Sequence, residues 1–203
     1  KASERVNDAI KRLEDERKVR NNMKKFLITI DTEGDNLWQW KDGDSIGTDN
    51  TKYLPRFQKL CDKYGFKPTW LTNYEMMMDD NYVQFIKEVV NEGTGEIGMH
   101  LHAWSTPPEY SLNAEKDNAP YLIEYPEHIM EEKICSMTNI IKEKTGVTPT
   151  SHRAGRWAMN ETYFRLLKKY GYLYDCSATP HIDWSGNGGQ TKDSQGSDYS
   201  KTS

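Results

Sequence analysis

Glu96-Ile-Gly-Met-His-Leu-His-Ala-Trp104 is the stretch on which the reading of the whole chain turns. Ile97, Met99 and Leu101 alternate with Gly98, His100 and His102, the period of a β-strand, in which successive side chains point to opposite faces. His100 and His102 therefore point the same way, with Cα atoms ~6.5–7 Å apart at the usual rise per residue. Two imidazoles so placed can converge on one ion at the ~2.0–2.1 Å of zinc–nitrogen bonds. An isolated His-x-His is also found as two unrelated histidines on a solvated loop, so its meaning rests on its surroundings.

To either side, apolar runs alternate with amphipathic segments. Lys24–Asp31 reads as a strand buried on both faces, and Lys67–Leu71, Thr150–Arg153 and Tyr172–Cys176 as further strands. Between them the spacing predicts helices. The first runs from Lys52 to Tyr64, with Pro55 in its first turn and Gly65 as its stop. The second covers Asp80–Asn91, capped by Asp79 or Asp80 and closed near Gly93. The third runs from Pro126 to Lys144, before Gly146, and the fourth from the Asn160 cap to Tyr170. Ala103–Tyr125 is a long loop, a feature more often functional than idle.

Strand and helix alternating in this way call for right-handed crossovers and a parallel sheet or barrel, whose sites lie beyond the carboxyl ends of the strands. The polar clusters fall at those ends: Asp31-Thr-Glu33 after the first strand, His100 and His102 at the third, Arg153 and Arg156 at the fourth, Asp175 and Ser177 at the fifth.

The length of 203 residues suits one domain, with 35% hydrophobic residues, six Trp and twelve Tyr to build its core. A net charge of −4, with 27 basic and 31 acidic residues spread along the chain, argues against a nucleic-acid face or a polybasic membrane patch. No apolar run is long enough to span a membrane, and Lys1–Asn22 is too charged for a signal peptide. That segment reads as a charged amphipathic helical appendage over 1–22, ahead of the main domain at 23–184. Residues 185–203 read as a polar Gly/Ser-rich tail or the interrupted end of the domain. Cys61, Cys135 and Cys176 read as reduced thiols, which places the protein in the cytoplasm.

Two histidines and a carboxylate make the three-ligand arrangement of a catalytic divalent ion that keeps a place open for water. Asp31 and Glu33, spaced i, i+2, share a face, so one can bind metal while the other acts as base; the plainer alternative is that both cap or pair with Arg153. Arg153 can hold a carboxylate by a charge-assisted fork. Trp38, Trp40, Trp104, Trp157 and Trp184 all lie in or near these loops, where indoles can stack on a ring-shaped ligand or simply pack.

Ile28-Thr-Ile-Asp-Thr-Glu-Gly34, the Glu96–Trp104 stretch and His152-Arg-Ala-Gly-Arg-Trp157 resemble the first three motifs of the polysaccharide deacetylases, the NodB-homology carbohydrate esterases. Tyr174-Asp-Cys-Ser-Ala-Thr-Pro180 and Asp183-Trp184 are similar to the next segment of a branch linked to lipopolysaccharide and other surface-polysaccharide biosynthesis. The resemblance, over Lys24 to Trp184, implies a distorted seven-stranded (β/α) barrel, here incomplete at its C-terminus. It also implies metal-dependent hydrolysis of N- or O-acetyl groups on sugars. Asp31 matches the family's base, His100 its first metal histidine and Arg153 the arginine that orients the base.

Three positions depart from the pattern. Thr32 stands where a second Asp is usual, so Glu33 takes the ligand role, with Asp35 the other acid in reach. Trp104 stands where the second histidine is usual, so His102 takes that role. The late Leu-His motif that supplies a general acid is not found, and His152 and His181 are poor substitutes.

The expectation is thus an α/β hydrolase with Asp31 and Arg153 catalytic, and Glu33, His100 and His102 around a divalent metal, zinc by preference. Trp38, Trp104, Arg156, Trp157 and Trp184 would contact a carbohydrate. The competing readings are a barrel hydrolase of cyclic amides or phosphoesters, and a catalytically silent sugar-binding homologue. The first of these usually carries His-x-His on its first strand, whereas here it is on the third.

Overall fold

The sheet is entirely parallel, and its strands stand side by side in chain order: β1 Thr29–Thr32, β2 Thr69–Thr72, β3 Glu96–Leu101, β4 Ser151–Ala154 and β5 Tyr174–Asp175. This arrangement comes from a computed structural model, which describes residues 11, 25–38, 45–112 and 119–202. The appendage expected over 1–22 lies, apart from Lys11, outside the described residues, as does Trp40. Helices make the crossovers: α1 Leu54–Tyr64, α2 Tyr74–Met78, α3 Asp80–Glu92, α4 Glu127–Thr145 and α5 Glu161–Lys169. The α/β class expected from the alternation is the one observed. Among the described residues the sheet is open, with β1 and β5 as its edges.

Local chemistry accounts for the helix ends. Asp79 accepts hydrogen bonds from the Asn81 and Tyr82 amides at 2.8 and 3.2 Å, and Asn160 accepts from the Tyr163 amide at 2.8 Å, each satisfying a donor that the helix itself cannot. α2 is unheralded by the sequence: it is five residues long and starts on Asn73, whose side chain accepts from the Met76 amide. The first strand is shorter than expected. Phe26 and Leu27 are 74% and 78% exposed, because β2 begins only at Thr69 and offers no partner to the residues before Ile28.

Register aligns Ile30, Trp70 and Ile97 on one face of the sheet and Asp31, Leu71 and Gly98 on the other. Helices cover the first face. Trp70, Ile97, Met99 and Leu101 pack there with Ile86 and Val89 of α3, Ile134 and Met137 of α4 and Leu166 of α5. The Trp70 indole N–H finds Gln58 Oε1 at 3.0 Å, so the largest core side chain leaves no donor unpaired. Met99→Ala is expected to cost about 2–5 kcal/mol through lost burial and a residual cavity, read as a lower urea midpoint at unchanged slope.

The other face carries Asp31, His100 and Arg153, and it is concave. β2 and β3 separate β1 from β4, so a flat sheet would hold those two strands ~14 Å apart. Yet Arg153 Nη1 on β4 donates to Asp31 Oδ1 on β1 at 2.5 Å, and Nη2 donates to Thr29 Oγ1 at 2.7 Å. One side chain closes that gap only because the sheet curls around it. Gly98 lies in the floor of the curl: a Cβ there would come within 2.5 Å of Ser151 Oγ and 2.8 Å of Leu71 Cδ2.

The polar stretch from Ser185 lies against the loops beyond the strands. Thr191 donates to Glu124 Oε1 through both its amide and its hydroxyl, Tyr199 donates its hydroxyl proton to the Trp157 carbonyl, and Asp183 and Asp198 form an antiparallel bridge.

Candidate metal centre

β1 delivers its carboxylates from the strand end. Asp31 is the strand's third residue, and Glu33 follows the last. Glu33 Oε2 lies 3.3 Å from His100 Nε2 and 2.9 Å from His102 Nε2, while its Oε1 accepts the Trp38 indole N–H at 2.8 Å. Burial opposes the charge on Glu33, but hydrogen bonds and charge from His100 and His102 outweigh it and hold the carboxyl well below the ordinary carboxylate range.

Both histidines are buried, and their rings meet edge to face at 4.6 Å. His100 Nδ1 lies 3.0 Å from the Arg153 carbonyl, an atom that can only accept, so Nδ1 carries a ring proton and Nε2 is the nitrogen turned to Glu33. The 3.3 Å between Nε2 and the Glu33 carboxylate oxygen is a place for a proton or a cation. For His102, burial draws the imidazole down to about 4 against its hydrogen bond to Glu33, and Nδ1 is buried without a hydrogen-bond partner.

Glu33, His100 and His102 are thus a group able to hold a metal ion, their donor atoms all within 4.8 Å of one another. Two imidazole nitrogens and one carboxylate oxygen suit a divalent ion with an open position, and the anchored His100 Nδ1 is the outer support such ligands need. Asp35 does not join them: its carboxylate accepts from the Asp49 and Asn50 amides at 2.6 and 3.1 Å, holding the 49–53 turn.

Beside this group, Asp31 is fixed by Arg153. The guanidinium is itself held by Nε donating to the Cys176 carbonyl at 2.8 Å and by Nη2 donating to Thr29. His152 has no part in this. It lies in register with Met99 on the helix-covered face, with Nδ1 bonded to Asp175 and Nε2 to Tyr163, each at 2.8 Å. Ser177 completes no nucleophilic triad with them, since its hydroxyl donates to Asp175 Oδ1 and not to the histidine.

The sequence model of a family described as polysaccharide deacetylase matches residues 21–174. The chain belongs to the polysaccharide deacetylases. A curated relative, the peptidoglycan deacetylase of Helicobacter pylori, is 26% identical over 124 residues, which are 61% of this chain and 36% of the relative. The chain thus spans about a third of that relative's length. Among solved structures, a Mycobacterium smegmatis protein described as a polysaccharide deacetylase superposes with a TM-score of 0.55 at 21% identity, over 75% of this chain and 50% of that one. This likeness shows the shared fold. A family 4 acetyl xylan esterase from Clostridium thermocellum, solved with a cobalt ion, gives a TM-score of 0.48 at 20% identity over 80% and 62% of the two chains.

The deacetylase family is hydrolytic and acts on acetyl amide and ester bonds. In this chain the indoles expected near the site separate into two pairs. Trp38 and Trp104 flank His102 at ring distances of 5.5 and 4.5 Å and meet each other at 5.9 Å. Trp157 and Trp184 stack on each other at 5.0 Å, and among the described residues no hydrogen bond or ring contact joins either of them to Glu33, His100 or His102. Arg156 stands with that second pair in the chain. It donates to the Ala119 and Gly188 carbonyls and lies over the Tyr121 ring at 4.1 Å.

Sequence reasoning passed over Glu75, which follows β2 by three residues and so sits at the same edge of the sheet as the other acids. The signal was its place just past the carboxyl end of a parallel strand.

Proposed function

We propose that this chain carries the hydrolytic site of a deacetylase that removes acetyl groups from a polysaccharide, with Asp31 and Arg153 as the proton-handling pair and Glu33, His100 and His102 as metal ligands. The observation that carries the reading is the convergence of the two imidazole Nε2 atoms on Glu33 Oε2 beside the Asp31–Arg153 pair. A divalent ion held by those three side chains would acidify a water and polarise the acetyl carbonyl. Asp31 Oδ1 is committed to Arg153, which leaves Oδ2 to accept the proton of the attacking water. Arg153 stabilises the resulting geometry by keeping the carboxylate in one orientation.

Zinc is the proposed ion, on the strength of an N,N,O donor set with an open position. Trp38 and Trp104 offer apolar faces for a pyranose beside His102. Trp157, Trp184 and Arg156 supply a second aromatic and cationic wall for a longer glycan. A surface polysaccharide of the lipopolysaccharide type is the proposed substrate on motif resemblance, and the relative's name makes peptidoglycan the other glycan to assay. The curled sheet supports one arc of a barrel over the 23–184 domain. Three free cysteines support a reducing, cytoplasmic setting.

The test loads the purified chain with zinc or cobalt, measures bound metal, and follows acetate release from N-acetylglucosamine oligomers, peptidoglycan fragments and O-acetylated xylan. Stoichiometric metal with acetate release is expected. Absence of binding at micromolar zinc overturns the metal centre, and bound metal without acetate release turns the reading to a silent sugar-binding homologue.

A further inference from the structure

The acid and the hydroxyl at the end of β5, Asp175 and Ser177, have no role in the hydrolytic reading, yet both are turned inward: Ser177 is fully buried, and Asp175 Oδ1 meets His152 Nδ1 at 2.8 Å. What they do shows in the ladder between β4 and β5. Tyr174 and Cys176 donate their amides to the Thr150 and His152 carbonyls, the even spacing of a parallel pair. The next bond of that series would join the Ala154 amide to the Cys176 carbonyl. It is not made. The Ala154 amide donates to Ser177 Oγ at 2.8 Å, and the Cys176 carbonyl accepts from Arg153 Nε at 2.8 Å instead.

The exchange depends on which way the Ser177 hydroxyl points. Its single proton goes to Asp175 Oδ1 at 2.7 Å, so its oxygen meets the Ala154 amide as an acceptor. Asp175 Oδ2 accepts the Ser177 amide at 3.1 Å, closing a local turn that fixes the Cys176 peptide between the two residues. A side-chain oxygen thereby stands in for a main-chain one. The carbonyl it releases holds the guanidinium that donates to Asp31 Oδ1.

We propose that Ser177, set by Asp175, is a positioning residue for the deacetylation, an inference that rests on the hydrolytic reading above. Ser177 acts at a distance from Asp31: it occupies the Ala154 amide, which leaves the Cys176 carbonyl to Arg153 Nε, and Arg153 in that pose keeps the Asp31 carboxylate in one orientation. Without the hydroxyl, the Ala154 amide has no acceptor but the Cys176 carbonyl, because a buried main-chain donor is costly to leave unpaired. The ladder then extends by one bond at the expense of the grip on Arg153.

Ser177→Ala deletes one oxygen, and Ser177→Cys keeps the volume with a weak acceptor. In both, kcat for N-acetylglucosamine oligomers is expected to fall about 10–10²-fold, the scale of a misplaced catalytic group, at unchanged KM and zinc content. Arg153→Lys has no Nε to lose, so adding Ser177→Ala to it should cost nothing further, whereas a purely structural role would lower both backgrounds by the same factor. Independently of turnover, the Arg153 Nε–H proton, identified by its absence from Arg153→Lys, should resonate as a hydrogen-bonded group in the metal-free wild type and move upfield in both Ser177 variants. Losses that multiply in the double variant, wild-type kcat in both Ser177 variants, or an unshifted Nε–H each overturn the assignment. A wild-type chain that binds zinc yet releases no acetate removes the hydrolytic reading, and with it the reaction that Ser177 would serve; failure of the positioning role alone leaves wild-type turnover intact.

Discussion

His100→Ala is expected to empty the metal centre and, with it, to end acetate release. His100 supplies one of three converging donors, and its Nδ1 bond to the Arg153 carbonyl ties the candidate metal group to the proposed proton-handling pair. Losing an outer partner of a metal ligand typically weakens binding ~10–100-fold, and removing the ligand itself should exceed that. Zinc affinity measured by competition with a chromogenic chelator checks this directly. Glu33→Gln should behave alike, because an amide brings no charge to offset the ion. Retention of tight zinc by either variant would place the ion elsewhere.

Asp31→Asn separates binding from chemistry. The amide can still meet Arg153 through its oxygen, and Asp31 is absent from the converging donors, so metal content should stay at the wild-type level. What disappears is the oxygen proposed to accept the water's proton. A drop of ~10²–10⁴-fold in kcat is the expected scale for a missing general base, with KM nearly unchanged, since the aromatic walls are untouched. A variant that keeps wild-type kcat would show that Asp31 serves only to hold Arg153.

The strand of Glu96–Trp104 was legible because its apolar residues alternate strictly, and two-residue periodicity alone aims His100 and His102 together. The choice between Glu33 and Asp35 was not legible. Both follow β1 in the same acidic loop, and what parts them is the 45–53 segment folding back so that Asp35 receives two amides. Composition likewise gathered the tryptophans into one cleft, although packing splits them into a pair beside His102 and a pair stacked on itself. α2 escaped notice because five residues hold too little periodicity to read, and Glu75 went with it. The stretch from Ser185 looks featureless by hydropathy because hydrogen bonds to Glu124 and Trp157, and not apolar burial, hold it in place.

The chain-order sheet puts the acidic half of the site on an edge strand. β1 has a neighbour on one side only among the described residues, whereas β3, which carries the histidines, and β4, which carries Arg153, are each flanked on both sides. Edge elements are the first to open in local fluctuations. Fraying of β1 would carry Asp31 and Glu33 away together and leave the basic half standing, so assembly of the site and closure of the sheet edge are one event. Whatever bridges the two halves, Arg153 now or an ion at saturation, therefore acts as a clasp on the first strand.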